Sequence, residues 1–275
     1  MIPDIPKINY AGSNNFFLIA GPCVIESRSG LYETAGRITE ISDKYNIPLI
    51  LKASYRKANR SRIDSFSGIG DKEALEILAA AGEKYDLPVI TDIHNPGEAE
   101  QAAKYVDIIQ IPAFLCRQTD LLIAAGETGK WINIKKGQFL SGSSMGYALE
   151  KVKHTGNNNI MLTDRGNMFG YSDLVVDMRN IPLMKEHGVP VIMDITHSLQ
   201  KPNQAEGISG GDPAMIETIG RAAVAAGADG IFLETHPEPG QALSDAANML
   251  HLDLLDSLMF SLTEIRRVIN KLDNE

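Results

Sequence analysis

Four residues far apart in the chain carry the donor types that hold a divalent transition metal. They are the thiol of Cys23, the imidazole of His197 and the carboxylates of Glu234 and Asp245. Thiolate, imidazole and carboxylate together suit Zn²⁺, Fe²⁺ or Mn²⁺. No local spacing such as CxxC or HExxH joins them, so they make a site only if the fold gathers them. Cys23 stands where the apolar run "FFLIA" gives way to "GPCVIES". There it could be core filler, half of a disulfide, a nucleophile beside His197 or a metal ligand. His197 could equally be a hydrogen-bonded supporting residue.

Five cations form a second group: Lys52, Lys57, Arg60, Lys135 and Arg165. The formal charge is −9, so neither nucleic acid nor an anionic membrane is an expected partner. Positive charge concentrated in an acidic chain points instead to small anionic, phosphorylated substrates. Arg165 could bind carboxylate or phosphate through two donors, and each Lys would act as a point charge. The stretch "KASYRKANRSRIDSFSG" (52–68) is the densest, with Lys57, Asn59, Arg60 and Ser61 together. In isolation it reads as a basic solvent-exposed loop as readily as a phosphate cradle. His94 is a candidate accessory polar group, and Cys116 is expected to pack rather than react.

Eight short apolar runs position these residues: 16–22, 47–54, 87–93, 106–112, 131–137, 159–165, 189–196 and 230–236. Each is continuous rather than alternating, as in parallel strands buried on both faces. Segments with helical spacing lie between them, and a last one follows the eighth run. The spacing predicts a helix over "VVDMRNIPLMKEHG" (175–188), bent or split at Pro182. Asp71 and Asp173 are expected helix caps. Eight βα units predict a single (β/α)8 TIM barrel spanning 1–275, with residues 1–12 as a short N-terminal arm or barrel cap. The competing doubly wound sheet would carry a Gly-rich phosphate turn after its first strand, and no GxGxxG stands there. In a barrel, Cys23, Lys52, Asp92, Gln110, Lys135, Arg165, His197 and Glu234 all reach the mouth formed by the strand ends. A non-functional surface gives no reason for such a ring, because buried charge is costly unless paired or used.

The chain has 275 residues, 44% of them hydrophobic, which is ample for a packed core. Its first residues carry prolines and polar groups where a signal core would sit, and no apolar run approaches the ~20 residues that span a bilayer. A cytoplasmic location is expected, and with it no disulfide between Cys23 and Cys116.

Further segments carry a resemblance. "GPCVIES", "KASYRKANRS", "TDIH", "IQIPAFLCRQTDL", "INIKKGQF", "LTDRGNMFGY", "DITHSLQ" and "ETHPEP" make the chain similar to the 3-deoxy-D-manno-octulosonate 8-phosphate synthase family, nearly throughout. "KANRS" separates it from the sibling family that makes a seven-carbon product from erythrose 4-phosphate, which carries a KPRTS-type sequence there. The resemblance implies a transferase condensing phosphoenolpyruvate with D-arabinose 5-phosphate, for lipopolysaccharide biosynthesis. It implies that Lys52, Lys57, Lys135 and Arg165 surround phosphoenolpyruvate. It gives the sugar phosphate to Asn59, Arg60 and Ser61, and the reacting centre to Asp92, Gln110 and His197. For that chemistry, Lys135 or Lys57 could donate the proton to the forming hydroxyl. Arg117 would lie near a subunit contact of a homotetramer and reach a neighbouring mouth. The family splits at the position of Cys23. A branch with this cysteine needs a divalent metal, with His197, Glu234 and Asp245 as the other ligands, and a branch with Asn works without one. "SFSGIG" (65–70) departs from the SYRGPG form of some members. The alternatives are the erythrose 4-phosphate enzyme and a non-catalytic phosphosugar-binding barrel.

Overall fold

The computed structural model describes residues 1–59, 63–169, 173–201 and 210–273. Eight parallel strands close into a barrel in chain order: β1 (Phe17–Gly21), β2 (Leu49–Lys52), β3 (Val89–Asp92), β4 (Ile108–Ile111), β5 (Trp131–Lys135), β6 (Ile160–Asp164), β7 (Val191–Asp194) and β8 (Gly230–His236). Closure is made by β1 on β8, in a register that sets Gly21 opposite Glu234. The helices that follow the strands are α1 (Arg28–Tyr45), α2 (Asp71–Tyr85), α3 (Ala99–Ala103), α4 (Thr119–Glu127), α5 (Gly146–Lys153), α6 (Asn180–Lys185), α7 (Ile216–Ala225) and α8 (Leu255–Leu272). This is the (β/α)8 barrel that the eight apolar runs predict.

Local sequence explains how helix returns to strand. Both α1 and α2 end in Lys-Tyr followed by a residue in the left-handed region, Asn46 and Asp86, each at φ 51°. Asn and Asp tolerate that region better than other side chains. The amide of Ile47 then donates to Ser42 O and that of Leu87 to Gly82 O, capping the helix ends. Pro48 and Pro88 prevent the helix from continuing and lead into β2 and β3. At the start of α1, Ser27 Oγ accepts from Gly30 N at 3.1 Å.

The structure departs from three local expectations, the caps at Asp71 and Asp173 and the helix over 175–188. Asp71 is the first residue of α2, and Gly70 occupies the cap position. Asp173 precedes no helix, because Leu174–Val175 pairs antiparallel with Asn167–Met168 as a small hairpin. The helical pattern over 175–188 therefore yields only the short α6. Asp177 Oδ1 accepts from Arg179 N at 3.0 Å, forming a turn in place of a first helical segment. Pro182 falls within the first turn of α6, where its missing N–H costs little.

Inside the barrel, Phe17, Ile19, Ile50, Ile90, Ile108, Met161, Ile192 and Phe232 pack together with Ile5. Each buried Ile or Phe contributes about 1.5–3 kcal/mol. Ile5 is buried and Trp131 Nε1 donates to Asp4 O at 3.0 Å, so the N-terminal segment covers the floor of the barrel.

Candidate active site and metal centre

The mouth follows from strand geometry. Side chains two apart on a strand share a face. Counting two residues on from the apolar floor gives Lys52 above Ile50, Asp92 above Ile90, Gln110 above Ile108, Asp194 above Ile192 and Glu234 above Phe232. The inward face thus turns from apolar to charged at one level around the ring. Gly21 permits the close approach of β1 to β2 at this level, since a Cβ there would lie 1.9 Å from Lys52 O.

Cys23, Glu234 and Asp245 form one group, with a ligand atom of each within 4.8 Å of the others. His197 Nε2 adjoins it, 3.4 Å from Glu234 Oε2 and 4.0 Å from Asp245 Oδ2. Asp245 reaches the group from a turn in which its own φ is 49°, with Asn248 N donating to its carbonyl. Lys52 Nζ donates to Glu234 Oε1 at 2.5 Å and to Cys23 O at 2.9 Å. Lys57 Nζ donates to Asp245 and lies 3.3 Å from Cys23 Sγ. Burial opposes ionisation of both carboxylates. The ammonium of Lys52 nevertheless holds Glu234 well below the usual carboxylate range, and Lys57 holds Asp245 down. Burial and the charge on Glu234 push the Cys23 thiol up, so a metal entering here must displace its proton. Soft sulfur and two ionised carboxylates in one group, with an imidazole nitrogen beside it, are donor types that suit a divalent transition ion.

Asp194 organises the opposite side. Its Oδ2 lies 2.7 Å from both Lys135 Nζ and His197 Nδ1, and its Oδ1 accepts from the amides of Thr196 and His197. Burial would lower the His197 pKa, but the Asp194 carboxylate outweighs it and raises it. Lys135 Nζ stands 3.6 Å from the centre of the Phe232 ring, a cation–π contact at the bottom of the mouth. Arg165 Nη2 donates to His197 O and Gln200 Oε1. Its buried Nε has no partner among the described residues, which leaves a charged donor for an anion.

A chain of hydrogen bonds fixes the remaining wall. Thr163 Oγ1 donates to Asn133 Oδ1, Asn133 Nδ2 to Gln110 Oε1 and Gln110 Nε2 to Asp92 Oδ1, at 2.8, 2.8 and 2.7 Å. Ser54 Oγ donates to the other Asp92 oxygen at 2.6 Å. Burial opposes the Asp92 charge, yet Lys52 and Lys135 keep its pKa low. These groups enclose a cavity of about 390 Å³, the size of a small-molecule site.

Of the residues singled out from sequence, Cys23, Lys52, Lys57, Asn59, Asp92, Gln110, Lys135, Arg165, His197 and Glu234 line this cavity. Asp245 adjoins it through Lys57 and Cys23. Arg60 and Ser61 lie outside the described residues. Arg117 is exposed and borders a separate groove with Leu140, Tyr147 and Lys151, away from the mouth of its own chain. Sequence reasoning missed Asn133 and Thr163, though each lies two residues before a residue of the mouth, Lys135 and Arg165, and so shares its face. It also missed Lys136, which is fully buried against Asp164 at 3.2 Å. Its Nζ donates to Leu140 O, Gly166 O and Asn167 Oδ1 as well, and so ties together the loops after β5 and β6.

The chain is similar to known proteins over nearly its whole length. The family model described as the DAHP synthetase I family matches residues 4–271. A protein of Koribacter versatilis named 2-dehydro-3-deoxyphosphooctonate aldolase is 49% identical over 261 residues, covering 94% of each chain. A protein of the same name from Citrifermentans bemidjiense is 49% identical over 264 residues, covering 96% of this chain and 97% of the relative. One from Fusobacterium nucleatum is 47% identical over 274 residues, covering 98% and 99%. The chain belongs to the DAHP synthetase I family.

Proposed function

We propose that this chain condenses phosphoenolpyruvate with D-arabinose 5-phosphate and water, giving 3-deoxy-D-manno-octulosonate 8-phosphate and inorganic phosphate. The observation that carries the reading is near-full-length identity of 47–49% to relatives named for the octulosonate product. The convergence of Lys52, Lys57, Lys135 and Arg165 on one buried mouth supports it independently.

In this reaction C3 of phosphoenolpyruvate forms a bond to the sugar's aldehyde carbon. The oxygen of water adds to C2, and phosphate leaves from C2 as the ketone forms. Lys52, Lys57, Lys135 and Arg165 surround phosphoenolpyruvate, and the partnerless Arg165 Nε offers an additional donor to its carboxylate or phosphate. Asn59, Arg60 and Ser61 hold the sugar phosphate, the last two at its phosphate. Negative charge develops on the aldehyde oxygen, and fixed cations lower the cost of forming it. An ammonium of Lys57 or Lys135 supplies the proton that makes it a hydroxyl. Asp92, with Gln110 and His197, lines the reacting centre.

Cys23, His197, Glu234 and Asp245 would hold a divalent Zn, Fe or Mn ion. When bound, such an ion supplies Lewis-acid polarisation and orients an oxygen ligand. Exhaustive chelation should abolish activity, and added Mn²⁺ or Fe²⁺ should restore it. Full activity in metal-free protein refutes the requirement.

The working enzyme is one synthase unit over 1–275, assembled as a homotetramer. Phe114, Phe139, Tyr147 and Phe169 are 49–72% exposed, and Arg117 shares a groove with Tyr147, as an interface would require. Two free thiols suit a reducing cytoplasm, and neither nucleic acid nor membrane is a partner of this acidic chain.

Phosphate release from phosphoenolpyruvate, measured with arabinose 5-phosphate and with erythrose 4-phosphate, tests the assignment. Preference for the four-carbon sugar overturns it. Binding without turnover supports a non-catalytic barrel.

A further inference from the structure

Glu98 lies just before α3 and does not line the cavity, yet two loops of the mouth converge on its carboxylate. From the loop after β2, Tyr55 Oη donates to Oε2 at 2.6 Å and the Arg56 guanidinium pairs with Oε1. From the loop after β3, the His94 amide donates to Oε2 at 2.7 Å and His94 Nδ1 lies 3.1 Å from the same oxygen. Asn95 Nδ2 donates to Oε1. The Glu98 side chain is 12% exposed, so water has little access to replace these partners.

Two of the groups bonded to Glu98, Arg56 and His94, line the cavity themselves, and the three residues after Arg56 follow it onto the same wall. Arg56, Lys57, Ala58, Asn59 and His94 all line the cavity. Arg56 is also bonded to Asp71 Oδ2 at 2.9 Å, and Lys57 N donates to Ser67 O at 2.9 Å, which closes the base of the loop. The opposite wall, with Lys135 and Arg165, is held separately by Asp194, His197 and Gln200.

We propose that Glu98 is the positioning residue for the sugar-phosphate wall of the mouth, clamping the loop that presents Arg56, Lys57 and Asn59 to the turn that presents His94. The proposal rests on the reading of that wall as the arabinose 5-phosphate side. Without the carboxylate, a guanidinium, a phenol and an imidazole lose a common acceptor, and both loops gain freedom at the cavity edge. The wall around Lys135 and Arg165 keeps its own anchors, so the two substrates respond differently.

The test uses the metal-loaded full chain with Glu98→Ala and Glu98→Gln. Expected are a rise of at least tenfold in KM for arabinose 5-phosphate for Glu98→Ala, a rise of no more than about threefold in KM for phosphoenolpyruvate, which shares only Lys57 with this loop, and an intermediate effect for Glu98→Gln, which keeps one acceptor oxygen. Amide hydrogen exchange over 53–59 should quicken at least tenfold while that of β1 is unchanged. An unchanged sugar-phosphate KM with unchanged exchange overturns the proposal. So does a parallel rise in both KM values with exchange quickened throughout the barrel, which marks a general folding role. If the parent protein releases no phosphate with arabinose 5-phosphate, the activity reading fails instead. The exchange comparison needs no substrate and still decides whether Glu98 clamps the two loops.

Discussion

Asp194 Oδ2 sits 2.7 Å from His197 Nδ1, and this contact directs the other ring nitrogen toward Glu234 and Asp245. Metal-binding histidines are commonly oriented in this way by a carboxylate on the far nitrogen. An Asp194→Asn variant should lose about 10–100-fold in metal affinity, the usual effect of removing such a support. Competition with a chromogenic chelator measures it. Parent-like affinity in the variant would show that the contact serves Lys135 alone.

Cys23 offers a second handle on the same centre. Cys23→Asn removes the sulfur ligand while preserving a small polar side chain. Metal content after dialysis should fall by at least about tenfold, with the circular dichroism spectrum unchanged. A variant that retains a full equivalent of metal would return the thiol to core filler.

Lys136 and Asp164 are both fully buried and form an ion pair at 3.2 Å. Breaking one member of such a pair leaves an uncompensated charge and costs roughly 3–5 kcal/mol. Lys136→Met should therefore lower stability by about that amount in urea unfolding, while Lys136→Met/Asp164→Leu should lose less than the single variant. A double variant worse than the single one would mean that the bond Asp164 accepts from Gly166 N, rather than the charge pairing, dominates.

Glu98 sets an acid limit. Burial opposes its ionisation, but hydrogen bonds from His94 and Tyr55 hold its pKa at about 2, against an ordinary 4.5. A folded pKa below the unfolded one gives stability that is present above pH 4.5 and is lost as pH falls from there towards 2. Stability of the parent protein should decline across that window. Glu98→Gln should show a shallower decline, measured as urea midpoints between pH 5 and pH 2.5. Equal slopes in the two proteins would exclude Glu98 from the acid response.

The barrel and most of its mouth were legible because the signals are local. A continuous β-branched run announces a strand buried on both faces, and a charged residue at its end announces the mouth. Lys52, Asp92 and Lys135 follow that rule, and Glu234 lies two residues before the end of its strand. The groups that hold them in place were not legible. Asn133 and Thr163 are small polar residues inside apolar strands, and only the pairing of β4, β5 and β6 puts them in one chain of hydrogen bonds. Glu98 looks like any helix-start carboxylate until two loops fold onto it. Lys135 and Lys136 are indistinguishable by type, and alternation along β5 sends one into the mouth and the other behind it. The segment 175–188 misled for a related reason. Its apolar spacing suits a helix, but the hairpin with 167–168 and the Asp177 turn claim its first half.

The sealed floor has a consequence for traffic. Ile5 and the ring of Phe and Ile side chains stop the barrel from below, so the mouth is a blind shaft with one opening. Two reactants that must lie one beyond the other can only queue. On the proposed reading, a molecule seated against Lys52 and Lys135, near the floor, would have to arrive before its partner covered it. Whatever product group remains at that depth leaves last, unless the joined product lifts out whole. Kinetic order would then be a property of the plug at the far end of the barrel as much as of the residues that do the chemistry.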